Sequence, residues 1–291
     1  KQSLGQNFLS DEALARRIAQ ELFDGSETGA RVVELGPGQG ALTRPLLSLF
    51  PQMAAFEIDQ RMVELLHREF PDLTVTHADL LELDFAELAA EYGGSLSIVS
   101  NTPFYLTSQL LYKLLCAAEH IDCVVLTVQS EVAQKLLSPH GCKEYGILSV
   151  MVQLFGQPEF LFDIPPTAFQ PQPKCTVAVL RLRPTTTPAV SGATPLSAAQ
   201  RSQLLALLKV AFEQRRKMLR QTLKPLLSSG STSAPPPEWL TLRPEQLSPT
   251  QFVELAATIF GDGASGGGDT LLAATHSAPG WKPYKSGWDA S

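Results

Sequence analysis

From Arg31 onward, short β-branched runs alternate with stretches whose apolar residues recur at helical spacing. The order is RVVEL at 31–35, ALTRPLLSLF at 41–50, MAAFEI at 53–58, QRMVELLHREF at 60–70 and LTVTHA at 73–78. That is a βαβαβ rhythm. It continues through SLSIVS at 95–100, a helical stretch from Thr107 to Ala118, the run CVVLTV at 123–128 and a helix starting near Ser130. The pattern predicts an α/β fold with a doubly wound, mainly parallel sheet, because strands that alternate with amphipathic helices are joined by βαβ crossovers.

After Phe160 the chain becomes extended and proline-punctuated, with IPPTAFQPQPK leading into the alternating run TVAVLRLRP. This predicts antiparallel strands at the sheet edge. Pro184 to Pro195 reads as a linker. From Ser197 to Leu227 the residues Leu204, Leu207, Leu208, Ala211 and Phe212 keep helical spacing, and Leu247 to Phe260 is a second helical segment. Three regions follow: a sheet domain over 1–184, a small all-α domain over 185–260, and a Gly/Ser/Ala-rich tail over 261–291. The tail cannot build a core, and SSGSTSAPPP at 228–237 is a loop.

Composition narrows the class. A chain of 291 residues with 44% hydrophobic content can bury a full core. Its longest apolar stretch, Leu110 to Val128, is broken by Lys113, Glu119 and Asp122, short of the roughly 18 apolar residues of a membrane span. Cys116, Cys123, Cys142 and Cys175 form no CxxC pair, so no zinc site or disulfide framework is signalled and no metal is expected. The chain opens at Lys1 without an initiator Met or an apolar leader, as if a segment upstream had been removed. The net charge of −6 disfavours nucleic-acid binding as a sum, but residues 184–260 hold 8 Lys+Arg against 4 Asp+Glu. The basic partner surface is expected there.

Glu34-Leu-Gly36-Pro-Gly38-Gln-Gly40 stands at the end of the first strand, where glycines let backbone approach a ligand closely. The alternatives are a dinucleotide turn or a plain strand-to-helix turn, but the spacing is G-x-G-x-G rather than G-x-G-x-x-G. Glu57 ends the second strand in AAFEID, placed to accept from both hydroxyls of a ribose, and Asp79 follows the third in HADLLEL, placed to receive an adenine amino group. These features converge on the crevice at the strand C-termini, where open α/β sheets bind ligands. The fourth strand ends in Ser100-Asn101-Thr102-Pro103-Phe104, similar to the (N/D/S)-P-P-(Y/F) fingerprint of enzymes that methylate amines conjugated to an aromatic ring. The lone pair of such an amine is delocalised, so the Asn101 side-chain oxygen and the Pro103 carbonyl can bind its hydrogens and favour a pyramidal, nucleophilic nitrogen. Phe104 offers a face for an extruded base. No strong general base is needed against a sulfonium methyl, so His67, His77, His120, His140 and His276 are given no role.

With these residues in place, the chain resembles the ribosomal RNA adenine dimethyltransferase family, which has bacterial, eukaryotic and organellar branches, the last including mitochondrial transcription factor B. The resemblance runs over roughly residues 1–260. It rests on Lys1-Gln-Ser-Leu-Gly-Gln6-Asn7-Phe8-Leu9, ELGPGQGALT, EID, the Asn101 motif, Phe169-Gln-Pro171-Gln-Pro173-Lys174, FEQRRKML and PEQLSPTQFVELA. It implies a Rossmann-like sheet that binds S-adenosylmethionine through Gln6, Asn7, Leu9, Glu34, Gly36, Gly38, Glu57, Ile58, Asp79, Leu80 and Asn101. It implies transfer of two methyl groups to each of two adjacent adenines near the 3′ end of small-subunit rRNA. Lys174, Arg215, Arg216, Lys217, Arg220 and Lys224 would grip RNA phosphate, and the partner would be the small ribosomal subunit or its precursor, with the protein monomeric outside it. Three positions depart from the family: Thr102 replaces an aliphatic residue, Tyr105 follows the aromatic, and Ser130 stands where a basic residue is usual.

The competing reading is a ribosome- or transcription-complex-bound structural factor that kept the fold with reduced or no catalysis. A small-molecule methyltransferase ranks last, since it has no use for a basic helical module. The retained acids and glycines favour the enzyme. Phe104, the missing start and the extra tail together suggest an organelle, mitochondrion or chloroplast, and otherwise the cytoplasm.

Overall fold

The computed structural model describes residues 7–22, 28–101, 103–189, 194–228 and 233–261. Gln6, Thr102 and the tail from 262 onward lie outside the described residues. The strands are β1 (Phe8–Leu9), β2 (Val32–Leu35), β3 (Ala54–Glu57), β4 (Thr74–His77), β5 (Leu96–Ser100), β6 (Ile121–Gln129), β7 (Glu159–Ile164), β8 (Phe169–Gln170) and β9 (Val177–Leu182). Seven of them form one sheet in the order β4-β3-β2-β5-β6-β9-β7. β4, β3, β2, β5 and β6 run parallel, while β9 pairs antiparallel with β6 and β7 pairs antiparallel with β9. The chain thus crosses from β4 back over β2 to β5, which makes the carboxyl ends of β2 and β5 the switch point where such sheets form a crevice.

Burial explains the parallel part. Every residue of β2, β3 and β5 is buried, as strands with helices on both faces must be. β4 at the edge is largely exposed. The antiparallel end expected from the proline-rich stretch is present, with β9 lying between β6 and the edge strand β7. The pairing of β1 with β8 was not legible: Phe8 faces Gln170 and Leu9 faces Phe169 in a separate two-stranded sheet. Ser10 reinforces it, with both its N–H and its hydroxyl donating to the Ala168 carbonyl, at 2.8 and 3.0 Å.

Two compact units are distinguished, one of residues 1–134 and 156–185, the other of 135–155 and 186–291. The second therefore takes in a segment that precedes the last strands of the sheet. Within it the stretch predicted as continuously helical is broken into Ala198–Glu213, Leu219–Thr222 and Lys224–Ser228. The reason is local: the apolar repeat stops at Phe212, and the polar run 213–217 gives a further turn nothing to bury. Pro249–Phe260 forms the expected later helix, opened by a Ser248–Gln251 capping box. No helix among the described residues is long and apolar enough to cross a membrane.

Candidate active site

One pocket lies at the C-terminal ends of β2 to β5. It is lined by Asn7, Phe8, Leu9, Glu34, Gly36, Pro37, Gly38, Ala41, Leu42, Glu57, Ile58, Asp79, Leu80, Leu81, Asn101, Pro103, Phe104, Tyr105 and Leu106. Every described residue singled out for the cofactor or for catalysis is in this lining. Gln6 lies outside the described residues, and Phe8, Tyr105 and five apolar neighbours of the predicted residues are additions.

The glycine turn is held open by backbone geometry. Gly36 has φ +68° and Gly38 φ +55°, conformations that side chains disfavour. A Cβ on Gly38 would come within 2.9 Å of the Phe8 ring, whereas one on Gly36 would meet only Leu80 at 3.7 Å. Gly36 therefore presents bare backbone, while Gly38 makes room for the amino-terminal segment. The Gly36 N–H donates to the Phe56 carbonyl at 2.9 Å, tying the turn to the end of β3.

Glu57 is 2% exposed and organises the turn from below. Its Oε2 accepts from the Gly38 N–H at 3.0 Å, and its Oε1 accepts from the N–H groups of Ile58 and Asp59, both at 2.9 Å. A carboxylate has about four acceptor positions. Three are used, so a diol would find one open and share another, which is less than the sequence suggested. Asp79 closes an Asx turn, its Oδ1 accepting from the Leu81 N–H at 2.9 Å, while Oδ2 has no partner among the described residues. Ile58 offers an apolar surface that is 47% exposed, and Leu80 is buried.

Two side chains hold these acids without touching them. The His77 Nε2 lies 2.8 Å from the Ile58 carbonyl, which can only accept, so that nitrogen carries the proton. Lys113, on the helix Thr107–Cys116, donates from Nζ to the Leu81 carbonyl at 2.6 Å. Burial lowers its pKa, and Asp84, Asp79 and Glu82 oppose that shift. Removing this tie should loosen the Asp79 turn. Lys113→Met is expected to weaken S-adenosylhomocysteine binding about fivefold by calorimetry, an effect of the order of one modest hydrogen bond. An unchanged affinity would show that the turn holds itself.

Glu34, buried in the middle of the β2 run, accepts from the Thr43 hydroxyl at 2.6 Å. Desolvation pushes its pKa up to about 8, the Thr43 hydrogen bond opposes this, and the charge of Glu57 adds to it. Around neutral pH the group is therefore mostly a neutral carboxylic acid.

On β5, Ser100 donates to the Leu35 carbonyl at 2.6 Å, locking the strand end to β2. Asn101 follows. Its Nδ2 donates to the Asn7 carbonyl at 3.4 Å and its Oδ1 accepts from the Thr127 hydroxyl at 2.6 Å. The Pro103 carbonyl accepts from the Leu106 N–H at 2.9 Å. Each oxygen singled out as an amine acceptor is thus held by one internal hydrogen bond and keeps a second lone pair. Phe104 is half-buried and packs against the main hydrophobic cluster, while Tyr105 next to it is 51% exposed. Two rings stand at the mouth where one was foreseen.

The six basic residues divide between the units. Lys174 is exposed in the first. In the second, Arg216, Lys217, Arg220 and Lys224 are exposed. Arg215 is engaged internally: its guanidinium donates to the carbonyls of Lys143 and Tyr145 and lies 3.8 Å from the Glu245 carboxylate. Ser130, where a basic residue was looked for, donates to Asp163 at 2.9 Å.

Comparison with known proteins gives one direction. A family model described as ribosomal RNA adenine dimethylase matches residues 1–248. The ribosomal RNA small subunit methyltransferase A of Salinibacter ruber is 42% identical over 258 residues, covering 88% of this chain and 83% of that protein. The protein of the same description from Pseudomonas aeruginosa is 38% identical and covers 88% and 93%. Among solved structures, a dimethyladenosine transferase from Plasmodium falciparum superposes with a TM-score of 0.62 at 21% identity, over 85% of this chain and 95% of that one. The 23S rRNA methyltransferase ErmE gives 0.55 at 25% identity, over 85% and 98%.

Proposed function

The chain belongs to the ribosomal RNA adenine dimethylase family, and from that premise we propose that it transfers methyl groups from S-adenosylmethionine to the N6 amines of two adjacent adenines near the 3′ end of small-subunit rRNA. The observation that carries the reading is the convergence, in one pocket at the sheet's switch point, of an adenosine-type acid pair with an amine-binding Asn-x-Pro-Phe motif. The alternative of a factor without catalysis finds no support in this pocket, where both sets of groups are retained.

The residues present fit S-adenosylmethionine. Glu57 and Asp79 each keep acceptor capacity beyond their internal hydrogen bonds, Ile58 and Leu80 provide apolar flanks, and Gly36 leaves backbone unobstructed. When bound, that group supplies an electrophilic methyl on a cationic sulfur. The protein's part is positional. Asn101 Oδ1 and the Pro103 carbonyl accept the two amine hydrogens, which withdraws the nitrogen lone pair from the ring. Phe104, with Tyr105 beside it, stacks on the base, a contact worth about 1–3 kcal/mol. The proton released on transfer leaves to solvent, so no histidine is required.

Exposed Lys174 in the first unit and exposed Arg216, Lys217, Arg220 and Lys224 in the second are proposed to supply phosphate contacts, with Arg215 serving chiefly to hold its own segment. The small subunit or its precursor is the proposed partner, and the free protein is proposed to be a monomer. The S. ruber and P. aeruginosa relatives are bacterial, so the organellar setting draws no support from them and the proposal does not depend on it. The test is incubation of the protein with isotope-labelled S-adenosylmethionine and small subunits from a strain lacking this modification. Label is expected in dimethyladenosine of the 3′-terminal rRNA fragment by mass spectrometry. Cofactor binding without any label in rRNA would overturn the reading.

A further inference from the structure

Thr127 is out of character with its surroundings. It lies in β6 within CVVLTV, a run whose other members are all apolar, and is 2% exposed. Burying a hydroxyl without a partner costs about 1–3 kcal/mol, so a threonine here calls for one. Among the described residues its hydroxyl has one side-chain partner, Asn101 Oδ1 at 2.6 Å. The register explains the meeting: Ser100 pairs with Leu126 across β5 and β6, so Thr127 and Asn101 are each the next residue along two parallel strands.

The hydrogen-bond pattern is self-consistent. The Asn7 carbonyl can only accept, so Nδ2 of Asn101 must be the atom turned toward it. That leaves Oδ1 toward Thr127, whose hydroxyl proton then has an acceptor. The two contacts fix which way the carboxamide is flipped. The Nδ2 contact is long at 3.4 Å, so the short Thr127 bond is the firmer of the two. Without it, a rotation of the carboxamide could present Nδ2, a donor, to an amine whose hydrogens need an acceptor.

We propose that Thr127 is a positioning residue for methyl transfer: its buried hydroxyl holds the Asn101 carboxamide in the one orientation that offers an oxygen lone pair to the substrate amine. This rests on the proposed reaction and adds to it a residue that touches neither cofactor nor substrate, since Thr127 is not in the pocket lining.

Two measurements test it. Thr127→Val keeps the shape and the strand propensity and removes the hydroxyl, while Thr127→Ser restores it. In Thr127→Val, kcat for rRNA methylation is expected to fall about tenfold, the equivalent of one hydrogen bond, with S-adenosylhomocysteine affinity and Tm nearly unchanged. Thr127→Ser should recover most of that loss. Independently of activity, the side-chain amide of Asn101 should give one sharp NMR pair in the wild type and in Thr127→Ser, and a broadened or doubled pair in Thr127→Val. Thr127→Ala serves as a second hydroxyl-free variant if the valine protein does not fold. Equal kcat in the valine and wild-type proteins, an unchanged amide signal, or failure of serine to restore either would overturn the proposal. Wild-type protein that labels no rRNA would instead overturn the reaction, leaving the amide signal to decide the orientation.

Discussion

Replacing Asn101 by alanine is expected to lower kcat for rRNA methylation by roughly 100- to 1,000-fold, the range seen when one preorganised polar group is removed from a transition-state contact. The argument is electronic. An adenine amine is a poor nucleophile because its lone pair belongs to the ring. The enzyme must make acceptors available where the two amine hydrogens point once the nitrogen becomes pyramidal. Asn101 Oδ1 and the Pro103 carbonyl are already held, by Thr127 and by the Leu106 N–H, so their remaining lone pairs need no reorganisation. Alanine removes one of only two such groups. Because Asn101 also lines the pocket, S-adenosylhomocysteine affinity should fall too, but by less than about tenfold, the share of a single neutral hydrogen bond. A single-turnover assay at saturating cofactor separates the two effects. A loss in binding as large as the loss in rate would assign Asn101 to the cofactor instead.

The second large effect concerns pH. Glu34 has an ordinary value of 4.5 and is raised by burial to about 8 in the folded protein. Between those values the native state holds a proton that the unfolded chain has released. Stability contributed by this group is therefore complete below 4.5 and is lost as pH rises through about 8, at about 1.4 kcal/mol per unit and about 3–5 kcal/mol in all. Glu34→Gln mimics the neutral form and keeps an oxygen for the Thr43 hydroxyl. Urea unfolding at pH 5 and pH 9 should place the two proteins close together in acid, with the glutamine variant several kcal/mol more stable in base. Parallel behaviour at both pH values would mean that Glu34 is ionised in the folded state after all.

What could be read in the sequence follows from what local pattern encodes. The runs at 32–35, 54–57 and 96–100 announce buried parallel strands because each is mostly apolar and lacks strict alternation, the polar exceptions being Glu34, Glu57, Ser97 and Ser100. Glu57 and Asp79 stood out in the sequence for a different reason: acids at or just beyond the carboxyl ends of successive strands fall where open α/β sheets form a ligand crevice. The reverse holds for Thr127, Lys113 and His77. Each acts on the pocket by holding another group from a distance in sequence of 19 to 32 residues, and nothing in a strand's own pattern records its partner. Arg215 shows the complementary case. The resemblance puts it in a basic cluster expected to meet phosphate, and nothing in that cluster signals that the carbonyls of Lys143 and Tyr145, some 70 residues away, also engage it. The broken helix after Glu213 was in principle visible, since the apolar repeat stops at Phe212, but the helix-forming residues around 213–217 masked the stop.

Phe8 and Leu9 belong to the pocket wall, and they are fastened by Gln170 and Phe169, which leave the ribosome some 160 residues later. During synthesis the first five sheet strands have all emerged before that fastening exists, so a nascent chain carries the glycine turn and both acids with one wall missing. Tight cofactor retention should therefore begin abruptly as translation passes the Phe169 region, making occupancy of the site a sign that the sheet domain is nearly complete.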